Sequence, residues 1–133
     1  MNDAFKFSFP MRAGGNRLEM PGGEFKRVYW TYGVPGGTLR GGHAHRELAQ
    51  TLTCPYGSVE IFLDDGERHA SVVLDDPNEQ LYVGPMVWHD MLWREEGSVL
   101  LVGASDYYAE EDYIRQRDVF DEEVRLAHAG AVC

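Results

Sequence analysis

The sequence has few of the features that mark membrane proteins, disulfide-rich proteins or nucleic-acid-binding proteins. None of its apolar runs approaches the roughly 20 residues that a membrane-spanning helix needs. Its two cysteines, Cys54 and Cys133, are too few for a disulfide scaffold and too far apart for a zinc knuckle, so we interpret both as free thiols. Basic residues are also scarce, with 12 Lys and Arg against 22 Asp and Glu and a net charge of -10. A nucleic-acid surface is therefore not expected, because contacts to phosphates require clustered basic side chains.

The N-terminal sequence also lacks the pattern of an export signal. The stretch "MNDAFKFSFPMRAGG" has neither a basic start followed by an apolar block nor a small-residue cleavage site. We therefore expect a soluble, cytoplasmic protein that does not act at a membrane. At 133 residues the chain has the length of one domain, 1–133, with a substantial hydrophobic core.

Short β-type segments between turn residues predict an all-β sandwich or barrel. They are most regular in "VEIFLDDGERHASVVL", where Val59, Ile61 and Leu63 share one face of a strand and Asp65-Gly66 is a residue pair typical of tight hairpins. The chain also contains 15 glycines and 6 prolines, clustered as "AGG", "PGG" and "RGG" in the manner of strand-to-strand corners.

The C-terminal segment has a different pattern from the rest of the chain. From Ala109 onward it reads "AEEDYIRQRDVFDEEVRLAHAG", which is rich in helix-forming residues. Tyr113, Val119 or Phe120, and Val124 recur at roughly helical intervals. We predict a helical tail, one or two short helices, over residues 109–133.

Two histidines one residue apart, in "RGGHAH", are the main candidates for chemistry. In an extended strand, residues i and i+2 point to the same face about 6.6 Å apart, so His43 and His45 share one side. Gly41 and Gly42 before them leave room for a ligand or for a close backbone. If that side faces the interior of a barrel, two imidazoles converge on one small volume.

The spacing around the histidines resembles the first cupin motif, G-x5-H-x-H-x4-E-x6-G. The motif is matched by Gly37, His43, His45 and Gly57, with Gln50 in the place of the glutamate. A second element, "VGPMVWHDMLW", resembles the second cupin motif and places His89 on a strand facing the same cavity. The resemblance implies an RmlC-like cupin, a double-stranded β-helix or jelly-roll barrel with a short C-terminal helix.

The glutamine at the glutamate position leaves three interpretations of the histidines open. A carboxylate would add a negative charge to a divalent metal site, whereas Gln50 offers a neutral amide oxygen. Three neutral imidazoles can still bind zinc or iron. Alternatively the histidines line the cavity and are satisfied by hydrogen bonds. The third possibility is proton transfer, since imidazole titrates near neutral pH and can move a proton between adjacent carbons.

Longer stretches of the chain are similar to one enzyme family. The runs "KRVYWTYGVPGGTLRGGHAHRELAQTLTCPYGSVEIFLDDGE", "LYVGPMVWHDM", "VLLVGASDYY" and "EEDYIRQRDVF" resemble the sugar 3,4-ketoisomerases, small cupins also called FdtA-like or WxcM-like proteins. The similarity spans Phe25 to Phe120. It implies a homodimeric isomerase without metal or cofactor. Its substrate would be dTDP-4-keto-6-deoxyglucose or a similar nucleotide sugar, with the keto group moved from C4 to C3 in deoxyamino-sugar biosynthesis, for example for lipopolysaccharide.

The same resemblance implies roles for individual residues. His43 would be the base that removes the C3 proton and delivers one to C4, and His45 would assist it. Tyr29 would hydrogen-bond the sugar or the developing enediolate. The implied substrate-binding residues are Arg40, Arg27, His89 and Trp88.

Within this set, Arg40 is expected at the diphosphate or the enediolate, Arg27 at a phosphate, and His89 in the wall of the pocket. Trp88 either stacks on thymine or sugar, or packs in the barrel wall. The N-terminal strands, residues 1–24, diverge from the family, so the C4 stereochemistry of the product stays open.

Two further hypotheses remain beside the metal-independent isomerase. One is a metal-dependent cupin enzyme that uses His43, His45, His89 and Gln50. The other is a cupin that binds sugar nucleotides without catalysis, or an epimerase-like relative with different regiochemistry. The chemistry of the histidine cluster distinguishes them.

Overall fold

Two antiparallel five-stranded sheets form the body of the molecule. The computed structural model describes residues 11–12, 18, 20 and 23–132, without the side chains of residues 11–12 and 130–132. One sheet has the strand order β1-β7-β4-β9-β2 and the other β10-β3-β8-β5-β6. The strands are β1 (Met11–Arg12), β2 (Arg27–Thr31), β3 (Leu39–His45), β4 (Gln50–Tyr56), β5 (Val59–Asp64), β6 (His69–Leu74), β7 (Glu79–Val83), β8 (Trp88–Trp93), β9 (Val99–Ala104) and β10 (Tyr113–Ile114), and the helix is α1 (Arg117–Val132).

The hydrophobic core lies between the two sheets. Leu52 and Val102 of the first sheet and Ile61 and Trp93 of the second are nearly inaccessible to solvent. Burial of side chains of this size stabilises the fold by about 1.5–3 kcal/mol each relative to exposure. The alternation that predicted an all-β fold therefore corresponds to inward-facing positions of both sheets.

The predicted hairpin is confirmed. Strands β5 and β6 pair from Val59 opposite Leu74 to Asp64 opposite His69. On β5, Val59, Ile61 and Leu63 are all buried, as the alternating pattern required. The connecting loop is longer than a two-residue turn, with Asp65 N–H donating to the carbonyl of Arg68 at 3.1 Å.

The C-terminal helix is confirmed, but one residue expected on it lies elsewhere. Phe120 of α1 packs against Ala44 of β3 and Ile114, so the helix covers the outer face of the second sheet. Tyr113 belongs to β10 and pairs with His45 of β3. A single 3₁₀ turn, Glu110–Asp112, precedes this short strand. The helical interpretation of Tyr113 was wrong because two residues of strand are too few to produce a recognisable alternation.

Several expectations concern residues that the structure does not describe. The divergent N-terminal strands predicted for 1–24 lie mostly outside the described residues, as does Cys133. Cys54 is a free, buried thiol. Among the described residues, no helix combines the length and apolar character that crossing a bilayer demands.

Gly57 follows β4 at a corner where the backbone requires glycine. Its φ is 95°, and a Cβ atom at this position would lie 2.2 Å from Ser98 Oγ and 2.7 Å from Ser98 Cα. The Ser98 hydroxyl accepts a hydrogen bond from Ser58 N–H at 2.9 Å, which holds two loops together. Gly97 also has a positive φ, 83°, but nothing lies within 4 Å of its Cβ position.

These two glycines give a prediction about stability. We expect Gly97→Ala to cost about 1–2 kcal/mol because of its left-handed backbone alone. Gly57→Ala adds a steric clash, so its free energy of unfolding should fall by about 2 kcal/mol more than that of Gly97→Ala. Urea denaturation of both variants at neutral pH measures the difference. Equal losses in the two variants would show that the contact with Ser98 is not limiting.

Candidate active site

Three histidine rings meet between the two sheets. His43 and His45 project inward from β3, and His89 projects from β8, where it stands directly opposite His43 in the strand register. The ring centroids are 5.1 Å apart for His43 and His45, 4.7 Å for His43 and His89, and 5.9 Å for His45 and His89. The structure thus brings together all three histidines that the sequence singled out.

A β-bulge in β3 sets the direction of the histidine pair. The register of β3 against β8 shifts between Gly41 and His43. Gly41 and Gly42 both have a positive φ, 97° and 76°, a conformation that glycine adopts at little cost. A Cβ atom on Gly41 would lie 2.9 Å from the carbonyl oxygen of His89, so the close approach of the two strands also requires glycine.

Several nitrogen atoms of the cluster lack protein partners. His43 Nδ1 and His45 Nε2 are buried without a hydrogen bond. His89 Nδ1 lies 3.1 Å from the carbonyl oxygen of Val87, which can only accept, so this nitrogen carries the proton and Nε2 keeps its lone pair. Buried polar atoms without partners are rare in folded proteins and indicate a position that a ligand satisfies.

Burial keeps the imidazoles neutral. Loss of hydration lowers the pKa of His43 to about 3, and the nearby His89 and Arg115 add to the effect. The pKa of His45 also falls to about 3, again mainly through burial, with His89 and His43 contributing. The pKa of His89 is lowered for the same reason. At neutral pH all three therefore offer lone pairs.

Tyr29 reaches the cavity from the opposite sheet. It lies on β2, and its hydroxyl oxygen accepts a hydrogen bond from Gln50 Nε2 at 3.2 Å. Its pKa is raised, first by burial and then by the neighbouring Tyr113, so the hydroxyl stays protonated. Because Gln50 supplies a proton to this oxygen, the Tyr29 hydroxyl proton is left to donate to a ligand.

A cavity of about 320 Å³ opens beside His43. It is lined by Tyr29, Arg40, His43 and Arg115, together with Met91 and apolar residues of the two sheets. Arg40 is exposed at its rim. His45 and His89 are only 2% and 1% exposed and lie deeper than His43. The cavity therefore combines a neutral base, a phenol donor and cationic side chains.

Arg27 lies beside Tyr29 on β2. Its guanidinium carbon is 5.2 Å from the centre of the Tyr29 ring and 5.8 Å from that of Tyr108. Its Nε and Nη2 atoms are buried without a hydrogen-bond partner. The positive charge also contributes to the lowered pKa of His45. Two unsatisfied cationic donors near the histidines fit a negatively charged ligand group.

Trp88 does not share the cavity with the histidines. It lies on β8 next to His89 and faces the other side of the sheet, where its ring centroid is 5.7 Å from that of Phe120. A groove of about 450 Å³ on that side is larger than the histidine cavity and is lined by Trp88, Phe62 and Arg117. None of the three histidines lines this groove, so we assign the chemistry to the smaller cavity.

Four residues of the site were missed in the sequence. They lie on the segment before α1 and contact either the histidine rings or Arg115, which lines the cavity: Tyr108, Glu110, Tyr113 and Arg115. Tyr113 contacts the rings of His45 and His43 at centroid distances of 4.4 and 5.2 Å. The sequence signal for three of them was the run "EEDYIRQRDVF", which resembles the family but does not show that this segment returns to the histidines.

The histidine cluster also has the donor set of a metal site. One ring nitrogen from each of His43, His45 and His89 lies within 4.8 Å of the others. Three neutral imidazoles are a common zinc-ligand set, and the Val87 carbonyl that orients His89 is typical of the outer shell of such sites. Gln50 differs from a ligating carboxylate because its amide nitrogen donates to Tyr29.

Comparison with known proteins identifies the family. The family model described as FdtA, WxcM-like, C-terminal, matches residues 17–125. The TDP-4-oxo-6-deoxy-alpha-D-glucose-3,4-oxoisomerase of Aneurinibacillus thermoaerophilus is 50% identical over 95 residues, which cover 71% of this chain and 68% of that protein. The chain belongs to the FdtA family, and the resemblance inferred from its motifs is confirmed.

Solved structures confirm the cupin fold. One similar structure is a mutant of the 3,4-ketoisomerase QdtA from Thermoanaerobacterium thermosaccharolyticum in complex with TDP-4-keto-6-deoxyglucose. It is 35% identical in sequence, its TM-score is 0.78, and the match covers 91% of this chain and 95% of that one. The rmlC epimerase of Mycobacterium tuberculosis has a TM-score of 0.63 at 26% identity and covers 69% of this chain and 51% of that one.

The lowered histidine pKa values predict how stability depends on pH. The unfolded chain protonates these imidazoles near their ordinary pKa of 6.5, whereas folded His43 and His45 stay neutral to about pH 3. Between these limits the unfolded state binds more protons, so the free energy of unfolding falls as the pH falls, by up to about 1.4 kcal/mol per pH unit for each histidine. Urea denaturation at pH 6.5 and 4.5 measures this slope.

His45→Gln should reduce the slope by removing one buried imidazole. His69→Gln is the matched control, because His69 is exposed at the start of β6. A slope in His45→Gln as steep as in the wild type would contradict the burial argument.

Proposed function

We propose that this member of the FdtA family is an isomerase that moves the keto group of a dTDP-4-keto-6-deoxyhexose from C4 to C3. The main supporting observation is the neutral His43, with its buried Nδ1 unpartnered, at a cavity that also presents the Tyr29 hydroxyl and two arginines. The relatives named as 3,4-oxoisomerase and 3,4-ketoisomerase act on, or are bound to, such a keto sugar. A product of this kind serves the synthesis of deoxyamino sugars.

His43 is the base in this proposal. Of the three histidines it alone lines the cavity, while His45 and His89 lie deeper. Its neutral imidazole removes the C3 proton, and the electrons of the C–H bond form an enediolate with the C4 carbonyl oxygen. The C3 hydroxyl proton passes to the C4 oxygen, with His45 as the relay, while the imidazolium protonates C4 and the C3 oxygen becomes the new carbonyl. One histidine suffices for both transfers if C3 and C4 present their protons to the same face.

The low pKa of His43 is compatible with this role only if the enediolate stabilises the imidazolium. In the cavity as it stands, burial disfavours the charged ring and lowers its pKa to about 3. When the proton moves, a negative charge appears on the neighbouring sugar oxygen, and two opposite charges at short distance in a poorly hydrated site attract strongly. Proton transfer thus creates the positive imidazolium and the negative enediolate side by side in the cavity.

Tyr29 and His45 complete the proposed catalytic set. The Tyr29 hydroxyl donates to the enediolate oxygen, since Gln50 already donates to Tyr29. A preorganised donor of this type contributes about 3 kcal/mol to transition-state stabilisation. His45 is in edge-to-face contact with His43 and relays a hydroxyl proton or orients the sugar. The reaction is redox-neutral, so its chemistry calls for no redox cofactor.

The other predicted binding residues have different places in this scheme. Arg40 at the rim is assigned to the diphosphate, and Arg27, with two unpartnered buried nitrogens near Tyr29, to negative charge on the sugar or a phosphate. His89 shapes the floor of the pocket through its contact with His43. Contact of Trp88 with substrate stays a prediction from the family resemblance, and its packing on Phe120 favours a role in the wall.

A homodimer is part of the proposal. Strand β2 is at the edge of its sheet, and its outward residues Val28 and Trp30 are 50% and 61% exposed, with Tyr32 following at 72%. An exposed apolar edge strand is prone to indiscriminate pairing unless another element or a second copy covers it. A second copy of this chain satisfies that need.

A cytoplasmic location also belongs to the proposal. Nucleotide sugars carry charged phosphates and do not cross lipid bilayers unaided, so the enzyme and its substrate share one compartment. The free, buried Cys54 fits a reducing environment.

A metal-dependent reaction is the second candidate function. It is favoured by the three ligand nitrogens within 4.8 Å of one another. In that case Zn²⁺ or Fe²⁺ held by His43, His45 and His89 would act as a Lewis acid toward the substrate carbonyl. Activity would then depend on metal added after chelation.

The central test is the regiochemistry of turnover followed by NMR. We expect the chelator-treated protein to convert dTDP-4-keto-6-deoxyglucose into the 3-keto isomer. In D₂O, deuterium should appear at C4 of the product, because a base that exchanges with solvent loses the proton it removed. Full retention of hydrogen at C4 would favour a hydride shift, and activity restored only by metal would favour the second candidate.

The control for this assay is a pair of histidine variants. His43→Asn should lower kcat by a factor of about 10² to 10⁴, the contribution typical of positioned acid-base catalysis, while binding of TDP persists. His69→Asn, at an exposed position on β6, should behave as the wild type. A His43→Asn enzyme with normal kcat would exclude His43 as the base.

The dimer gives a separate prediction about the β2 surface. Trp30→Glu places a charge on the exposed apolar edge and should convert the protein to a monomer in analytical ultracentrifugation. Leu126→Glu is the matched control, since Leu126 is an exposed apolar residue on α1. A wild-type protein that sediments as a monomer, or a Trp30→Glu variant that stays dimeric, would contradict the proposed interface.

A further inference from the structure

Arg115 lies at the entrance of the histidine cavity, directly after the short strand β10. It lines the cavity together with Arg40 and His43. Its guanidinium carbon is 4.1 Å from the centre of the Tyr113 ring, and that ring contacts His45. The cation is therefore stacked on the outer side of the aromatic residue that covers the histidine pair.

Two residues hold Arg115 in this place. Glu110 accepts hydrogen bonds from Arg115 Nε at 2.8 Å and from Nη2 at 3.0 Å, a two-point geometry that fixes the plane of the guanidinium. The Tyr108 hydroxyl donates to the same carboxylate. These contacts lower the pKa of Glu110 to about 2, so the carboxylate is charged throughout the neutral range.

The contact with Glu110 uses only part of the guanidinium. Nε and Nη2 donate to the carboxylate, and the guanidinium also interacts with the Tyr108 hydroxyl. Arginine carries five N–H donors, so a side-on pair with a carboxylate leaves donors for a second oxyanion. Glu110 thus orients Arg115 without consuming its binding capacity.

We propose that Arg115 binds the diphosphate of the nucleotide sugar and that Glu110 is the positioning residue that holds it over Tyr113 for this purpose. The inference rests on the proposed function and adds a residue to it. With Arg40 at the same rim, the diphosphate meets two cations at the entrance while the sugar extends inward to His43. A protein with a net charge of -10 repels such an anion elsewhere, and two arginines at the entrance provide a local positive charge that attracts it.

The test compares binding of TDP and of thymidine by isothermal titration calorimetry. Arg115→Gln should weaken TDP binding by about 10- to 100-fold, the range for losing a charge-assisted contact, and leave thymidine binding within two-fold. Glu110→Gln should weaken TDP binding several-fold, also without effect on thymidine. Arg115→Lys should recover only part of the loss, because an ammonium cannot make the two-point contact with Glu110.

The pair Arg125 and Glu122 on α1 provides the matched control. It has the same two-point geometry, with 3.1 Å from Arg125 Nε and 2.5 Å from Nη2 to the carboxylate, but it lies away from the cavity. Arg125→Gln and Glu122→Gln should bind TDP and thymidine as the wild type does, and thermal melting should show that all variants are folded.

Three results would overturn the inference. An unchanged ratio of TDP to thymidine affinity in Arg115→Gln would remove Arg115 from the diphosphate site. Tighter TDP binding by Glu110→Gln would show that Glu110 competes with the ligand. A loss of kcat in Arg115→Gln with normal TDP affinity would assign the residue to the enediolate. If instead the wild type neither isomerises the keto sugar nor binds TDP, the proposed function itself fails.

Discussion

The contact between β3 and β8 at the bulge is the constraint on which the candidate site depends. Gly41 comes so close to the backbone of His89 that no side chain fits, and the register shift that follows turns His43 and His45 toward the interior. A one-residue slip in a strand moves every side chain to the opposite face, so without this bulge the imidazoles would occupy the position of Ala44 under the helix. The two glycines before the histidines are thus a geometric requirement of the cavity.

Burial then determines the chemistry of the cluster. The imidazoles are neutral because the cavity hydrates charge poorly, and His43 Nδ1 and His45 Nε2 are buried without a hydrogen-bond partner. The cations around them, Arg27 inside and Arg115 at the entrance, disfavour a further positive charge on His45. The same two arginines attract a negatively charged ligand. Their charges therefore both keep the histidines neutral and favour binding of an anionic substrate.

Much of the fold could be predicted from local patterns, while the surroundings of the site could not. The hairpin of β5 and β6 was predictable because alternation and turn residues act over neighbouring positions. The three histidines were predictable as a group because the cupin spacing ties them together. For Trp88 the sequence left stacking on the ligand and packing in the wall both open. The structure places its side chain on the outer face of β8, opposite to His89. Tyr113 and Arg115 were missed because a two-residue strand has no measurable period.

The sequence by itself determined the family, the all-β architecture and the identity of the three histidines, because these depend on the order and spacing of residues along the chain. Only the tertiary structure decided which atoms of those histidines lack partners and how far burial lowers their pKa values. It also decided that a segment 70 residues after the histidine pair returns to cover it, with Tyr113 paired with His45 and Arg115 stacked on the Tyr113 ring. Burial and charge pairing depend on distances between residues remote in sequence, and such distances exist only once the two sheets have packed.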